Sequence, residues 1–543
     1  MPCFFLVCWK LLSQFLRIFN VVSLYNAKLK GIYIMKTYKN PVVRGFNPDP
    51  SVIRVREDYY LVNSTFQYFP AIPIYHSRDL VNWQLIGHGI TESEYLDLSD
   101  IAESHGIWAP DISYHNGKYY IFAPFRLNNA PENETGRLRV QLVMTADKPE
   151  GPYSKPEIVE VDSIDPSHFI DDDGTHYMIT APGITVTQLD ETCTKIVKPP
   201  QTVWEGTNRA PEGPHILKKD GWYYAILAEG GTGYGHRVSV ARSKNLYGPY
   251  DVSPYNPVLM QTDPDAEIQK SGHGKLVQTQ NGDWWIMYLC ARRNGGNFCT
   301  LGRETALDPV TWTDDGWFIV NDLKGPSAEQ TAPNLPELVF EKNNRDDFDS
   351  DKLGLDWCFV RNPKHNNWSL TERKGYLRLK GSLHDISERR AYNTIVQRET
   401  ELNYTATTKL DYNPVFNGQE AGLVCYSGIY TYIKLCKCYD NGVKFKVIEN
   451  RNDDIRILGT IDAKPDAETV YMKVDVCGQV RSFYISYDNQ SWELVAKEND
   501  CTFMCSEQIK IGKHHTGTMV GIYAYNPAHV YVNADFDWFE MKV

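Results

Sequence analysis

The sequence predicts an all-β protein of two domains, a five-bladed β-propeller followed by a β-sandwich. Three observations carry that expectation. Aromatic residues make up 13% of the 543 residues, and 38 Gly and 30 Pro punctuate short apolar runs, the composition of a turn-rich β chain. A hairpin signature recurs five times between Glu57 and Trp285. No long segment keeps the 3.6-residue period that a βαβ alternation would need.

The first 34 residues stand apart. Phe4–Val7 and Phe15–Val22 are apolar, but Lys10 and Arg17 interrupt them, and no run reaches the ~20 apolar residues of a membrane span. An uninterrupted apolar centre with a small-residue cleavage site, the mark of a secretion signal, is missing. Met35 followed by Lys36-Thr37-Tyr38-Lys39 resembles a natural start. Residues 1–34 are therefore expected to be a non-native or disordered, dispensable extension, with a degenerate secretion signal as the alternative.

The repeat occupies the next stretch. Its copies are Glu57-Asp58-Tyr59-Tyr60, Asn116-Gly117-Lys118-Tyr119-Tyr120, Asp173-Gly174-Thr175-His176-Tyr177, Asp220-Gly221-Trp222-Tyr223-Tyr224 and Asn281-Gly282-Asp283-Trp284-Trp285. Asn-Gly and Asp-Gly before a β-rich run signal a tight hairpin, because both central residues must accept positive φ. The turns fall 59, 57, 47 and 61 residues apart, room for four short strands each. Five such units make a five-bladed propeller, expected over residues 35–322. Its innermost strands surround an axis, so equivalent positions on them converge at one mouth. Nine residues before each turn stand Asp49, Trp108, Asp165, Glu212 and His273.

Asp before Pro, as at Asp49-Pro50 and Asp165-Pro166, often only initiates a turn. Three acids at one register are harder to explain structurally, since like charges at a narrow axis raise one another's pKa and cost stability. Paired carboxyls suit glycoside hydrolysis, which needs one protonated acid and one ionised partner. Glu212, with the longer reach, is assigned as the general acid, Asp49 as the base, and Asp165 as the carboxylate that holds the acid's pKa up and orients it. His273 has a bland reading as a core histidine and a functional one as ligand to an axial ion or water. Arg303 is either a surface ion pair or a bidentate donor to sugar hydroxyls or a catalytic carboxylate.

The formal charge of −12 repels a phosphate backbone, and nucleic acid is an unsuitable partner. Twelve Cys show no CxxC pair or framework and read as reduced thiols, which favours a cytoplasmic location over a periplasmic or secreted one. Cys436 and Cys438 would point the same way on a strand, but no second pair completes a zinc site. Gly230-Gly231-Thr232-Gly233-Tyr234-Gly235 lacks the Lys-Ser/Thr and following helix of a phosphate loop. A Pro-rich linker is expected over 323–344. A sandwich over 345–543 is read from alternating runs such as Tyr376-Leu377-Arg378-Leu379.

Taken together, Gly45-Phe46-Asn47-Pro48-Asp49-Pro50-Ser51, Ser64-Thr65-Phe66, Ile107-Trp108-Ala109-Pro110-Asp111, Glu212-Gly213-Pro214-His215, Gly272-His273-Gly274 and Leu301-Gly302-Arg303-Glu304-Thr305 resemble glycoside hydrolase family 43. The likeness is to its two-domain β-xylosidases and α-L-arabinofuranosidases, and it runs from about Asn40 to the C-terminus. It implies an exo-acting inverting hydrolase that takes xylo- or arabino-oligosaccharides and requires no cofactor, with Asp49 as base, Asp165 as pKa modulator and Glu212 as acid. It also implies a sugar-binding wall at Phe66 and Trp108, substrate contact by Arg303, and a concanavalin-like jelly roll as the second domain. Some members hold a central calcium near the position of His273. Where relatives often carry aromatics reaching toward the mouth, this chain has His514 and His515, which are expected to help close the pocket. The third blade is short after Asp165 and lacks an aromatic in Ile179-Thr180-Ala181-Pro182-Gly183, which leaves xylose or arabinose open. Self-association into a homo-oligomer is compatible with all of this. The alternatives are an endo-arabinanase, an arabinoxylan debranching enzyme, or a non-catalytic carbohydrate-binding propeller.

Overall fold

The computed structural model describes residues 36–543, apart from 130, 134, 135, 365, 466, 513, 529 and 531. The expected extension over 1–34 lies outside the described residues. No helix of the described residues is long and apolar enough to cross a membrane.

Five antiparallel sheets follow one another in the first part of the chain. Their first strands are Ser51–Val55, Asp111–His115, Ser167–Ile170, Glu212–Lys219 and Ile268–Gln278. Each of these strands touches the next, and the fifth touches the first, so the ring closes. A hairpin joins each to its second strand at the repeated turn. At Asn116-Gly117 and Asp220-Gly221 both turn residues take positive φ, between 48° and 85°, which is why these residue types stand there.

The second strands are buried on both faces, as Asp58–Val62 shows, because each blade packs between two others. Their aromatic runs therefore do not alternate. One apolar cluster fills every blade interface, for example Val62, Ile74, Ile112 and Ile121 between the first and second, and Val52, Leu61, Met287 and Leu307 between the fifth and first. Each such side chain contributes about 1.5–3 kcal/mol. The third blade, short in sequence, still has four strands, the outermost being Ile196–Trp204. Thr37–Lys39 pairs with Glu329–Thr331, so the segment after the fifth blade is strapped back onto the start of the propeller.

Two eight-stranded sheets form the second part. Leu423, Ile433, Phe445, Val474, Phe483, Ile522 and Phe536, none exposed, fill the space between them. The propeller's own Tyr68–Phe69 adds to the edge of one sheet by pairing with Cys358–Val360. Beside it Arg361 is fully buried and donates to Glu103 at 2.6 Å and to the Ile101 carbonyl at 2.8 Å. The sandwich is thus wedged against the mouth of the propeller.

Candidate active site

Asp49, Trp108, Asp165, Glu212 and His273 all line one small pocket of about 70 Å³ at the axis, with Phe66, Ala109, Ile164, Thr232, Arg303 and His515. The nine-residue register therefore corresponds to a real convergence. Its backbone origin is visible in φ. Asp49, Asp165 and His273 sit at +56°, +54° and +48°, a left-handed conformation costly for residues with a side chain and concentrated at functional sites. In the fourth blade Gly213 takes that role at +57°. A Cβ there would lie 2.9 Å from the His273 ring, so only glycine lets the imidazole seat against this strand.

The three acids live in different fields. Asp49 is 5% exposed. Burial pushes its carboxyl up, but Arg303, His273 and the Ser64 hydroxyl together bring it below the usual value. Arg303 Nη1 donates to Asp49 Oδ1 at 2.9 Å, Ser64 Oγ donates to Oδ2 at 2.6 Å, and His273 Nδ1 stands 3.7 Å from Oδ1. Glu212 is pushed up to about 7 by burial and by the Asp49 charge, with Arg303 and Arg209 opposing. Asp165 is also pushed up, by burial and by Glu212. These two share one proton, as like charges in a dry site must. The Gly213 amide donates to Asp165 Oδ2 at 2.9 Å and offsets only part of that rise.

Arg303 is no surface residue. Nη1 also donates to Thr232 Oγ1 at 3.1 Å, and Nη2 donates to the His515 carbonyl at 3.2 Å. Of the sequence alternatives, the surface ion pair is excluded, and the contact with the Asp49 carboxylate runs through Nη1 alone. Gly302 makes the approach feasible, since a Cβ on it would lie 2.5 Å from Gly517 Cα. The His515 ring packs 5.9 Å from both Phe66 and Trp108, and its amide donates to Ser104 Oγ at 2.9 Å. His514 is placed differently. It lies against Gly428 beside Glu103, lines an adjoining cavity that shares Thr232, Arg303 and His515, and is absent from the pocket wall.

Sequence reasoning missed Ser64 and Thr232 as neighbours of the acids, although both sit in stretches it singled out. The glycine-rich run that fails as a phosphate loop instead carries Thr232 to Arg303. Deeper along the axis, Asp111 accepts from Lys275 Nζ at 2.5 Å and Ser51 Oγ at 2.7 Å, with His215 Nδ1 at 3.8 Å. This arrangement does not fit a calcium ion at His273. A hard cation takes about six to eight oxygen ligands, whereas His273 brings an imidazole nitrogen, and the carboxylates of Asp49 and Asp111 are already paired with the guanidinium of Arg303 and the ammonium of Lys275. A larger cleft of about 370 Å³, walled by Trp83, Phe340 and Arg398, contains none of the five axial residues.

Comparison with known proteins identifies both domains. Residues 38–318 match the model of glycosyl hydrolases family 43, and 345–542 match the β-xylosidase C-terminal concanavalin A-like domain. A non-reducing end α-L-arabinofuranosidase of Bacteroides ovatus is 38% identical over 517 residues, covering 93% of this chain and 95% of the relative. A xylan 1,3-β-xylosidase of a Vibrio species is 36% identical, covering 93% and 99%. The crystal structure of a family 43 protein of Bacillus licheniformis superposes with a TM-score of 0.91 at 57% identity, covering 93% of this chain and all of that one. With both domains matched and relatives of this identity spanning nearly its whole length, the chain belongs to glycosyl hydrolases family 43.

Proposed function

We propose that the chain is an exo-acting, inverting glycosidase that releases terminal xylose or α-L-arabinofuranose from xylo- or arabino-oligosaccharides. One observation carries the reading: a single pocket brings together Asp49, bound by Arg303 and Ser64 and held below the usual carboxylate value, and Glu212, pushed up to about 7 by burial. Asp49 is the general base that takes a proton from water as the water oxygen bonds to the anomeric carbon. Glu212 gives its proton to the glycosidic oxygen as the C–O bond breaks, and the leaving alcohol departs neutral. Asp165 positions Glu212 and keeps its proton on. Arg303 keeps Asp49 ionised, and no step passes through a metal at His273.

The small pocket, walled by Phe66, Trp108 and His515, suits one terminal sugar ring better than the open groove of an endo-acting enzyme. The names of the two curated relatives favour pentose units. All ten described cysteines are free, which supports a reducing, cytoplasmic setting. A panel of p-nitrophenyl pentosides and hexosides tests the proposal. Turnover of the β-D-xylopyranoside or the α-L-arabinofuranoside, well above every hexoside, is expected. A folded protein that cleaves only hexosides, or no glycoside, would overturn it.

A further inference from the structure

Three metal-binding donors meet outside the active site, where the second and third blades pack. His168 lies on the axial strand Ser167–Ile170, His176 opens the strand His176–Thr180, and Cys193 sits in the turn between Ile184–Leu189 and Ile196–Trp204. Asp165 stands three residues before His168, and His176 pairs opposite Ile170 at the far end of that strand. His176 and Cys193 are buried and His168 half-buried.

The donors form a closed triangle. His168 Nε2 and His176 Nδ1 are 2.9 Å apart, and Cys193 Sγ lies 3.3 Å from His176 Nδ1 and 3.6 Å from His168 Nε2. In the metal-free state the three groups can hydrogen-bond to one another, and binding of an ion replaces those contacts. Tetrahedral zinc, about 2.0–2.1 Å from nitrogen and about 2.3 Å from sulfur, needs N···N of about 3.3 Å and N···S of about 3.6 Å. The sulfur edges are near these lengths already, and the imidazoles need part by only about 0.4 Å.

The surroundings favour the same occupant. His168 Nδ1 is 2.6 Å from Ser113 Oγ on the second blade, an outer partner of the kind that fixes a ligand histidine's tautomer and frees Nε2. Phe122 stacks on the His168 ring at 4.6 Å. Cys193 is held at φ +59° by a turn in which Asp190 Oδ1 accepts from the amides of Thr194 and Lys195, both at 3.0 Å, so its sulfur is aimed inward. The Cys436–Cys438 pair gathers no such third donor among the described residues.

We propose that His168, His176 and Cys193 bind one zinc ion, with water as fourth ligand, clasping the third blade's outer turn to its axial strand and, through Ser113, to the second blade. Binding releases the Cys193 thiol proton to solvent, and the resulting thiolate neutralises one of the ion's two charges. The test uses the metal-stripped full chain, titrated with zinc chloride and separately with cobalt(II). One equivalent of zinc should bind and raise the Tm, and the cobalt form should show a near-ultraviolet thiolate-to-metal charge-transfer band. Cys193→Ser should lose the band and that equivalent while keeping wild-type glycoside hydrolysis, and Ser113→Ala should weaken binding by about tenfold. A folded wild type that takes up no zinc, or a Cys193→Ser variant with the same stoichiometry and band, would overturn the proposal.

Discussion

Replacing Asp165 by Asn tests where the shared proton sits. In the native pocket the working form of Glu212 is protonated, and its folded pKa is raised to about 7, first by burial and then by the Asp49 charge. Activity on unactivated substrates is therefore kept at acid pH and lost as pH rises through about 7. Asp49, brought below the usual carboxylate value, loses its working ionised form only as pH falls below about 3.8, so the acid limb is distant. If Asp165 is the ionised partner, removing its charge lets Glu212 ionise more readily. Two like charges a few ångströms apart interact by about 3 kcal/mol at an effective dielectric of about 20, an upper bound near 2 pKa units. Burial of Glu212 is unchanged by the substitution, so a shift of about one unit, or about 1.4 kcal/mol, is expected in the alkaline limb, toward acid. The assay is the pH profile of kcat/KM on xylobiose, which reports the free enzyme. The same variant should gain thermal stability above pH 7. Raised acids bind more protons folded than unfolded, and that contribution is lost as pH rises through the folded pKa. An alkaline limb that stays in place would refute the assignment, because Asn is a near-isostere of a neutral Asp165.

Other substitutions separate the remaining parts. Asp49→Ala should abolish turnover of every glycoside, whereas Glu212→Ala should spare p-nitrophenyl substrates far more than xylobiose, because a good leaving group needs little protonation; steady-state kinetics on the two substrate types checks both. His515→Ala removes the wall shared with Phe66 and Trp108 and should raise the KM for xylobiose by about tenfold. His514→Ala, outside the pocket, should leave that KM near wild type, and equal effects at the two positions would contradict their placement. Arg361→Met strands the buried Glu103 carboxylate and should cost about 3–5 kcal/mol in thermal or urea denaturation. Adding Glu103→Gln should recover much of that loss, and a single variant as stable as wild type would contradict the buried pairing.

The propeller and the axial acids were legible because both depend on local chemistry repeated at fixed spacing. Asn116-Gly117 and Asp220-Gly221 demand a turn, and counting back from a turn is reliable on a short strand. Contacts made across long sequence separations were not legible. Arg303 meets Asp49 across 254 residues, and its local sequence left that contact open beside a surface ion pair. Thr232 was hidden by a glycine run whose composition fits several loops. His514 and His515 are indistinguishable as a dipeptide, and only the path of the chain past Ser104 separates wall from backing. The possible calcium beside His273 rested on resemblance alone, and the ion pairs of Arg303 and Lys275 that engage Asp49 and Asp111 are tertiary. Ser113, His168, His176 and Cys193 escaped notice because each is an ordinary residue of a different strand or turn.

The stereochemical course of the reaction tests the central claim most directly, since it requires Asp49 to act on water and Glu212 on the leaving oxygen in one displacement. Proton NMR of the sugar released in the first moments of hydrolysis, before mutarotation, reads the anomer. Attack by water activated at Asp49 gives the configuration opposite to that of the substrate, α-xylose from a β-xyloside. First appearance of the retained anomer would mean a covalent glycosyl-enzyme intermediate and would contradict the assignment of Asp49 as base.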